Sequence, residues 1–128
     1  MLAMEQKKRF LFVVSTGASE PKKAFTPFYY AAASASMGYE TYMFFLAEGP
    51  SLLKKGVAEN IRTTEKGEPL TKVIELAMKN GAKLLCCSTS AKVIWGMHEA
   101  DLPEGVEFAG AITLIEMAAD PQTSVIYF

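Results

Sequence analysis

Both cysteines of the chain stand side by side in Leu84-Leu85-Cys86-Cys87-Ser88-Thr89-Ser90. An apolar stretch ends in two thiols and runs at once into three hydroxyl residues. Ala91-Lys92-Val93-Ile94-Trp95 follows with a helix-like pattern. The order reads as strand, turn, helix, with a thiol at the carboxyl end of the strand. In α/β sheets that edge is where ligands bind. Ser88, Thr89 and Ser90 are all competent helix N-caps. The helix dipole and its free N–H groups favour a thiolate over a thiol there. The chemistry on offer is therefore thiolate chemistry at Cys87, supported by Ser88, Thr89 and Ser90. Beside it stands the plainer reading of a buried Cys pair acting as small hydrophobes, as most free cysteines do.

Successive strand side chains point to opposite faces. A disulfide between Cys86 and Cys87 would need a distorted backbone, so the two are separate thiols. One faces a sheet surface packed by a helix, and the other reaches the end of the strand.

Other residues that could do chemistry are fewer. Ser15-Thr16-Gly17 follows the first apolar run, where a dinucleotide-binding fold places its glycine-rich turn. Neither G-x-G-x-x-G nor G-x-x-x-x-G-K-[ST] is present, so no nucleotide cofactor is called for. Ser15, Thr16 and Gly17 could shape a small pocket at the same sheet edge as Cys87, or form a simple turn. His98, the single histidine, sits in the polar stretch His98-Glu99-Ala100-Asp101. It could serve Cys87 as a base or proton donor, but the sequence offers no partner to orient it, which favours a surface histidine. Two cysteines and one histidine are too few for a structural zinc site in one chain. No metal is expected, and no Ser/His/Asp order suggests a hydrolase.

The elements that must position these residues are legible as apolar runs. Arg9-Phe10-Leu11-Phe12-Val13-Val14-Ser15 and Glu40-Thr41-Tyr42-Met43-Phe44-Phe45-Leu46 read as strands buried on both faces. Residues 83–87 and 124–128 read as two more. Residues 60–64 read as an edge strand or plain loop. Residues 22–37 hold a helix rich in small residues, with Pro27 in its first turn and Gly38 ending it. Residues 69–80 form the clearest helix, with Leu70, Val73, Ile74, Ala77 and Met78 at amphipathic spacing. Residues 110–120 form a helix apolar on nearly every face, which predicts burial all round. Alternation of strands and helices implies a parallel sheet covered on both sides. Residues 47–68, with several glycines, could form a mobile lid over the site.

At 128 residues the chain is sized for one domain, residues 1–128, with a single core. A net charge of −1 leaves no footprint for nucleic acid. Lys7-Lys8-Arg9 reads as a solvated lead-in to the first strand. Residues 1–6 hold no signal-peptide core, and no segment approaches the ~18 apolar residues that span a bilayer. These features predict a cytoplasmic protein with reduced thiols and no membrane partner.

Assembled in order, these residues resemble the DsrE/DsrF-like family of small sulfur-relay proteins over nearly the whole chain. The apolar first strand ends in Ser15-Thr16-Gly17, and Glu48-Gly49-Pro50-Ser51-Leu52-Leu53-Lys54-Lys55-Gly56 follows the second. Cys87-Ser88-Thr89-Ser90-Ala91-Lys92 is similar to the family's C-x-x-S-A segment. The stretch from Asp101 through Leu102-Pro103-Glu104-Gly105-Val106 to Gly110-Ala111 is similar to its late L-x-x-G-V-x-x-x-G pattern. The resemblance implies a three-layer α/β/α sandwich with a mainly parallel five-stranded sheet. It also implies a persulfide carried on one cysteine, by position Cys87, with sulfur donor and acceptor proteins as partners. Cys86 beside Cys87 departs from the family's usual single cysteine. Oligomers are common among better-studied members, and the apolar 110–119 helix with Tyr29-Tyr30 predicts a homo-oligomer here, a dimer or trimer. Two functions follow: a persulfide-carrying sulfur-relay or sulfurtransferase-like protein, or a non-catalytic oligomeric module that binds a small ligand or regulates, its cysteines merely buried.

Overall fold

A computed structural model describes residues 8–128. Residues 1–6, where no signal-peptide core was expected, and Lys7 of the basic run lie outside the described residues. The five strands are β1 (Arg9–Val14), β2 (Glu40–Phe45), β3 (Lys83–Cys87), β4 (Glu107–Ala109) and β5 (Thr123–Tyr127). They form one sheet in the order β4-β3-β2-β1-β5, and every neighbouring pair is parallel. The helices are α1 (Pro21–Ala24), α2 (Thr26–Ser36), α3 (Leu70–Lys79) and α4 (Ala111–Ala119). The architecture is the expected α/β sandwich.

The continuous apolar runs explain the sheet's centre. Phe12, Val14, Met43, Phe45, Leu84 and Cys86 point to one face, where Phe28, Ala31 and Ala32 of α2 and Leu70, Val73, Ile74 and Ala77 of α3 cover them. Small residues let α2 lie close, and the buried Ser34 and Thr41 hydroxyls satisfy each other at 2.7 Å. The rings of Phe28 and Phe45 stack at 5.5 Å, a geometry that contributes about 0.5–1.5 kcal/mol beyond burial. Leu11, Val13 and Phe44 point to the other face, which is covered by Met117 and Leu114 of α4.

Several local readings differ from the structure. The remaining strand is β4, three residues beginning with Glu107, rather than residues 60–64, where Asn60 ends a 3₁₀ turn and 61–64 form irregular backbone. Residues 22–37 split into α1 and α2, because Phe25 ends the first turn and Pro27 starts a new one. The 110–120 helix is not buried all round. Only Met117 of α4 is buried, and Ile112 and Ile115 are exposed. α4 covers only part of that face, where Val125 and Tyr127 of β5 stay exposed, and its own outer side meets solvent in a single copy. Residues 47–68 are anchored rather than lid-like. They carry two short 3₁₀ turns, Gly49–Leu52 and Ala58–Asn60, and Leu52, Leu53, Ala58 and Ile61 are buried in the core. No helix among the described residues is long and apolar enough to cross a membrane.

Candidate functional site

β3 carries the two thiols to the carboxyl edge and, through its pleat, separates them. Cys86 pairs in register with Phe45 and lies in the α2/α3 core, wholly shielded. Burial, and then the neighbouring Cys87, push its thiol up to about 12. A thiol so placed stays protonated at neutral pH and behaves as a small apolar side chain. Cys87 pairs in register with Ala109 and faces the α4 side, beside Leu46 and Leu85. It is only partly buried and is a free thiol.

The chain turns directly from Cys87 into a helical segment. Ser88 and Thr89 open it, and Ser90–Ile94 continues it as a five-residue π-helix. π-Turns are rare and collect at functional sites. Ser88 is half-buried and Thr89 is exposed. Ser90 Oγ accepts a hydrogen bond from the Ala47 N–H at 3.0 Å. Trp95 Nε1 donates to the Ala47 carbonyl at 2.8 Å. Ala47 has φ 53°, the one positive φ outside glycine among the described residues. That conformation costs an L-residue about 1–2 kcal/mol. It persists because both backbone polar groups of Ala47 are clamped from the segment that follows Cys87.

The site thus gathers Cys87, Ser88, Thr89 and Ser90 with Leu46, Ala47 and Trp95. Ser15, Thr16 and Gly17 lie at the same sheet edge but at the end of β1, two strands from β3, roughly 10 Å away by strand spacing. Ser15 Oγ and its N–H both donate to the Phe128 carbonyl at 2.8 Å, which ties β5 to β1. Gly17 packs against the loop after β2: a side chain there would stand 2.6 Å from the Glu48 carbonyl oxygen and 2.8 Å from Ser51 Oγ. Ser51 Oγ in turn accepts from the Ala18 N–H at 2.9 Å and donates to the Glu48 carbonyl at 2.7 Å. His98 is exposed, and its backbone N–H donates to the Asp101 carboxylate at 2.8 Å. That bond orders a short turn at the surface.

Sequence reasoning missed Ala47 and Trp95. The one signal for Trp95 was that the single tryptophan closes the segment after the thiols. Nothing in the sequence marks Ala47, since alanine ordinarily avoids positive φ.

A model of the DsrE/DsrF-like family matches residues 8–128. The chain belongs to that family. Among curated relatives, the sulfur carrier protein DsrE2 of Allochromatium vinosum is 28% identical over 157 residues, covering 91% of this chain and 96% of that protein. The uncharacterized protein MJ0760 of Methanocaldococcus jannaschii is 27% identical over 118 residues, covering 91% of this chain. The match covers 42% of MJ0760, so the chain spans less than half that relative's length. Two solved structures share the fold. The ychN protein from E. coli superposes with a TM-score of 0.76 at 14% identity, over 96% of this chain and 100% of that one. MTH1491 of Methanobacterium thermoautotrophicum, a protein of unknown function, gives 0.66 at 13% identity with the same coverage.

Proposed function

We propose that the protein is a sulfur carrier, in which Cys87 accepts a sulfane sulfur, holds it as a persulfide and passes it to a partner. The observation that carries this reading is the contrast between two adjacent thiols. Cys86 is shut in the core with its thiol pushed up, and Cys87 stands partly open at the end of β3. Membership of the DsrE/DsrF-like family and the name of the DsrE2 relative support a sulfur-relay role in general.

The step transfers one sulfur atom without net oxidation or reduction. The Cys87 thiolate attacks the outer sulfur of a donor persulfide. The donor's S–S bond breaks, its inner sulfur leaves as a thiolate, and a new S–S bond forms on Cys87. Delivery reverses the roles: an acceptor thiolate takes the outer sulfur and Cys87 leaves as the thiolate. The N–H groups that open the segment after Cys87, and the hydroxyls of Ser88 and Thr89, stabilise the anion in both states. Ser90 holds the neighbouring loop, while Ser15, Thr16 and Gly17 shape the same sheet edge further along. No cofactor takes part. The reading places the protein, as a single domain, in the cytoplasm, where thiols stay reduced, with donor and acceptor proteins as partners.

Retention of sulfane sulfur tests it. After incubation with polysulfide and desalting, cyanolysis is expected to release about one sulfur per subunit from wild type and from Cys86→Ser, an expectation set by one persulfide per carrier thiol. Cys87→Ser is expected to release none. Release from Cys87→Ser at the wild-type level would sink the proposal.

A homo-oligomer belongs to the same reading. Val93, Ile94, Ile112, Ile115, Val125 and Tyr127 are exposed, more large apolar side chains than a lone small domain usually shows. β5 is an edge strand without a charge or proline, features that natural edges use to avoid pairing. Light scattering is expected to give a dimer or trimer; a single species of 14.0 kDa at micromolar concentration would contradict it.

One observation favours the binding module as a second reading. An open apolar cleft of about 410 Å³ runs between α2 and β5, lined by Phe10, Phe12, Tyr30, Met37, Tyr39 and Ile126. It lies on the face opposite Cys87 and would suit an apolar small molecule.

A further inference from the structure

The loop that follows β2 and the segment that follows Cys87 are bound to each other by more than sheet geometry requires. Phe45 pairs with Cys86, so Leu46 and Ala47 run on past Cys87 and Ser88 as the adjacent wall. Both hydrogen-bonding groups of the Ala47 backbone are taken by side chains of one short segment, Ser90 Oγ on the N–H and Trp95 Nε1 on the carbonyl. Lys54 Nζ reaches the Trp95 carbonyl at 3.2 Å from the far side of the same loop. The Met97 N–H closes the segment onto the Ala91 carbonyl at 2.9 Å. Two uncommon conformations, φ 53° at Ala47 and the π-helix Ser90–Ile94, are therefore held against one another. Local strain of this kind survives only where its surroundings over-determine it.

We infer that Ser90 and Trp95 are positioning residues for Cys87: they staple the Ala47 wall to the helix that presents the thiol, and so control how far the thiol is open. The inference rests on the reading of Cys87 as the reactive thiol. Neither residue touches the transferred sulfur. They act through the backbone of Ala47. Coupling between the staple and the thiol is reciprocal, so a group attached to Cys87 must in turn disturb Trp95. The chain has one tryptophan, and its emission reads the staple directly.

The test is iodoacetamide alkylation of the folded chain, followed residue by residue by peptide mass spectrometry. Ser90→Ala and Trp95→Phe each remove one of the two bonds. Each is expected to speed alkylation of Cys87 about fivefold, the equivalent of one net hydrogen bond of about 1 kcal/mol. Ser90→Thr keeps the hydroxyl and is expected to stay within about twofold of wild type by the same measure. Ala47→Gly accepts positive φ freely, so it keeps the staple and melts about 2–4 °C higher. In wild type, alkylating Cys87 is expected to shift Trp95 emission. A general loosening would instead speed hydrogen exchange of core β1 amides in step with Cys87. That result, or wild-type alkylation rates in both Ser90→Ala and Trp95→Phe, overturns the inference. Failure of the parent reading looks different: in wild type itself, Cys87 would react no faster than Cys86.

Discussion

The native protein is expected to show one fast thiol and one silent one. At neutral pH Cys87 should alkylate at least about 30-fold faster than Cys86. The figure follows from the thiolate supply. A thiol pushed up from 9.0 to about 12 has its thiolate at neutral pH cut about 1,000-fold. The greater nucleophilicity of so basic a thiolate returns part of that, roughly 30-fold. Full burial of Cys86 then blocks access altogether, so its reaction should appear only with denaturant. Stability follows the same thiol. Below about pH 9 Cys86 is protonated folded or unfolded and contributes no pH dependence. Between the unfolded value of 9.0 and about 12 the unfolded chain ionises first, so stability falls as pH rises through that window. Cys86→Ala should lack this alkaline loss. Titration of two fast thiols in the native protein would contradict both expectations.

Gly49→Ala is expected to destabilise the fold by about 3 kcal/mol or more, the upper range for overpacking against backbone. Gly49 begins the 3₁₀ turn after β2 and lies directly on β1. A Cβ there would overlap the Val14 carbonyl oxygen and stand 3.2 Å from the Val14 carbonyl carbon and 3.3 Å from Phe45 Cβ. Val14 ends a strand paired on both sides, so it cannot yield as a flexible side chain would. A fall in Tm of about 10 °C corresponds for a domain of this size. Gly110→Ala is the control, since nothing lies within 4 Å of its Cβ position. As the residue before α4 it should cost only about 0.5–1 kcal/mol. Equal melting of Gly49→Ala and wild type would mean that the loop beside Ala47 is not seated on β1.

The sheet's centre was readable because the later halves of β1 and β2 are buried on both faces and therefore appear as unbroken apolar runs, while β3, half-open on the Cys87 side, still ends in four apolar residues. β4 was not, because three residues beginning with Glu107 carry no pattern; its place is set by pairing with β3. The α4 sequence was misleading for a physical reason. An all-round apolar helix reads as buried, yet a single copy supplies only one sheet face to cover it. At the site, strand alternation separated Cys86 from Cys87 and put a thiol at the sheet edge. It could not tell which face was the closed one, since that depends on α2 and α3 packing over Cys86. The staple was illegible: Trp95 and Ala47 are 48 residues apart, and only the fold brings β2's loop beside the segment after β3.

The most direct test of the account is the intact mass of the wild-type protein after exposure to polysulfide or thiosulfate. The expected result is a gain of about 32 Da per subunit, one sulfur atom as a persulfide, that maps to the Cys87 peptide and disappears with a thiol reductant. A mass that never changes with any of several sulfane donors, or a gain that maps to Cys86, would contradict it.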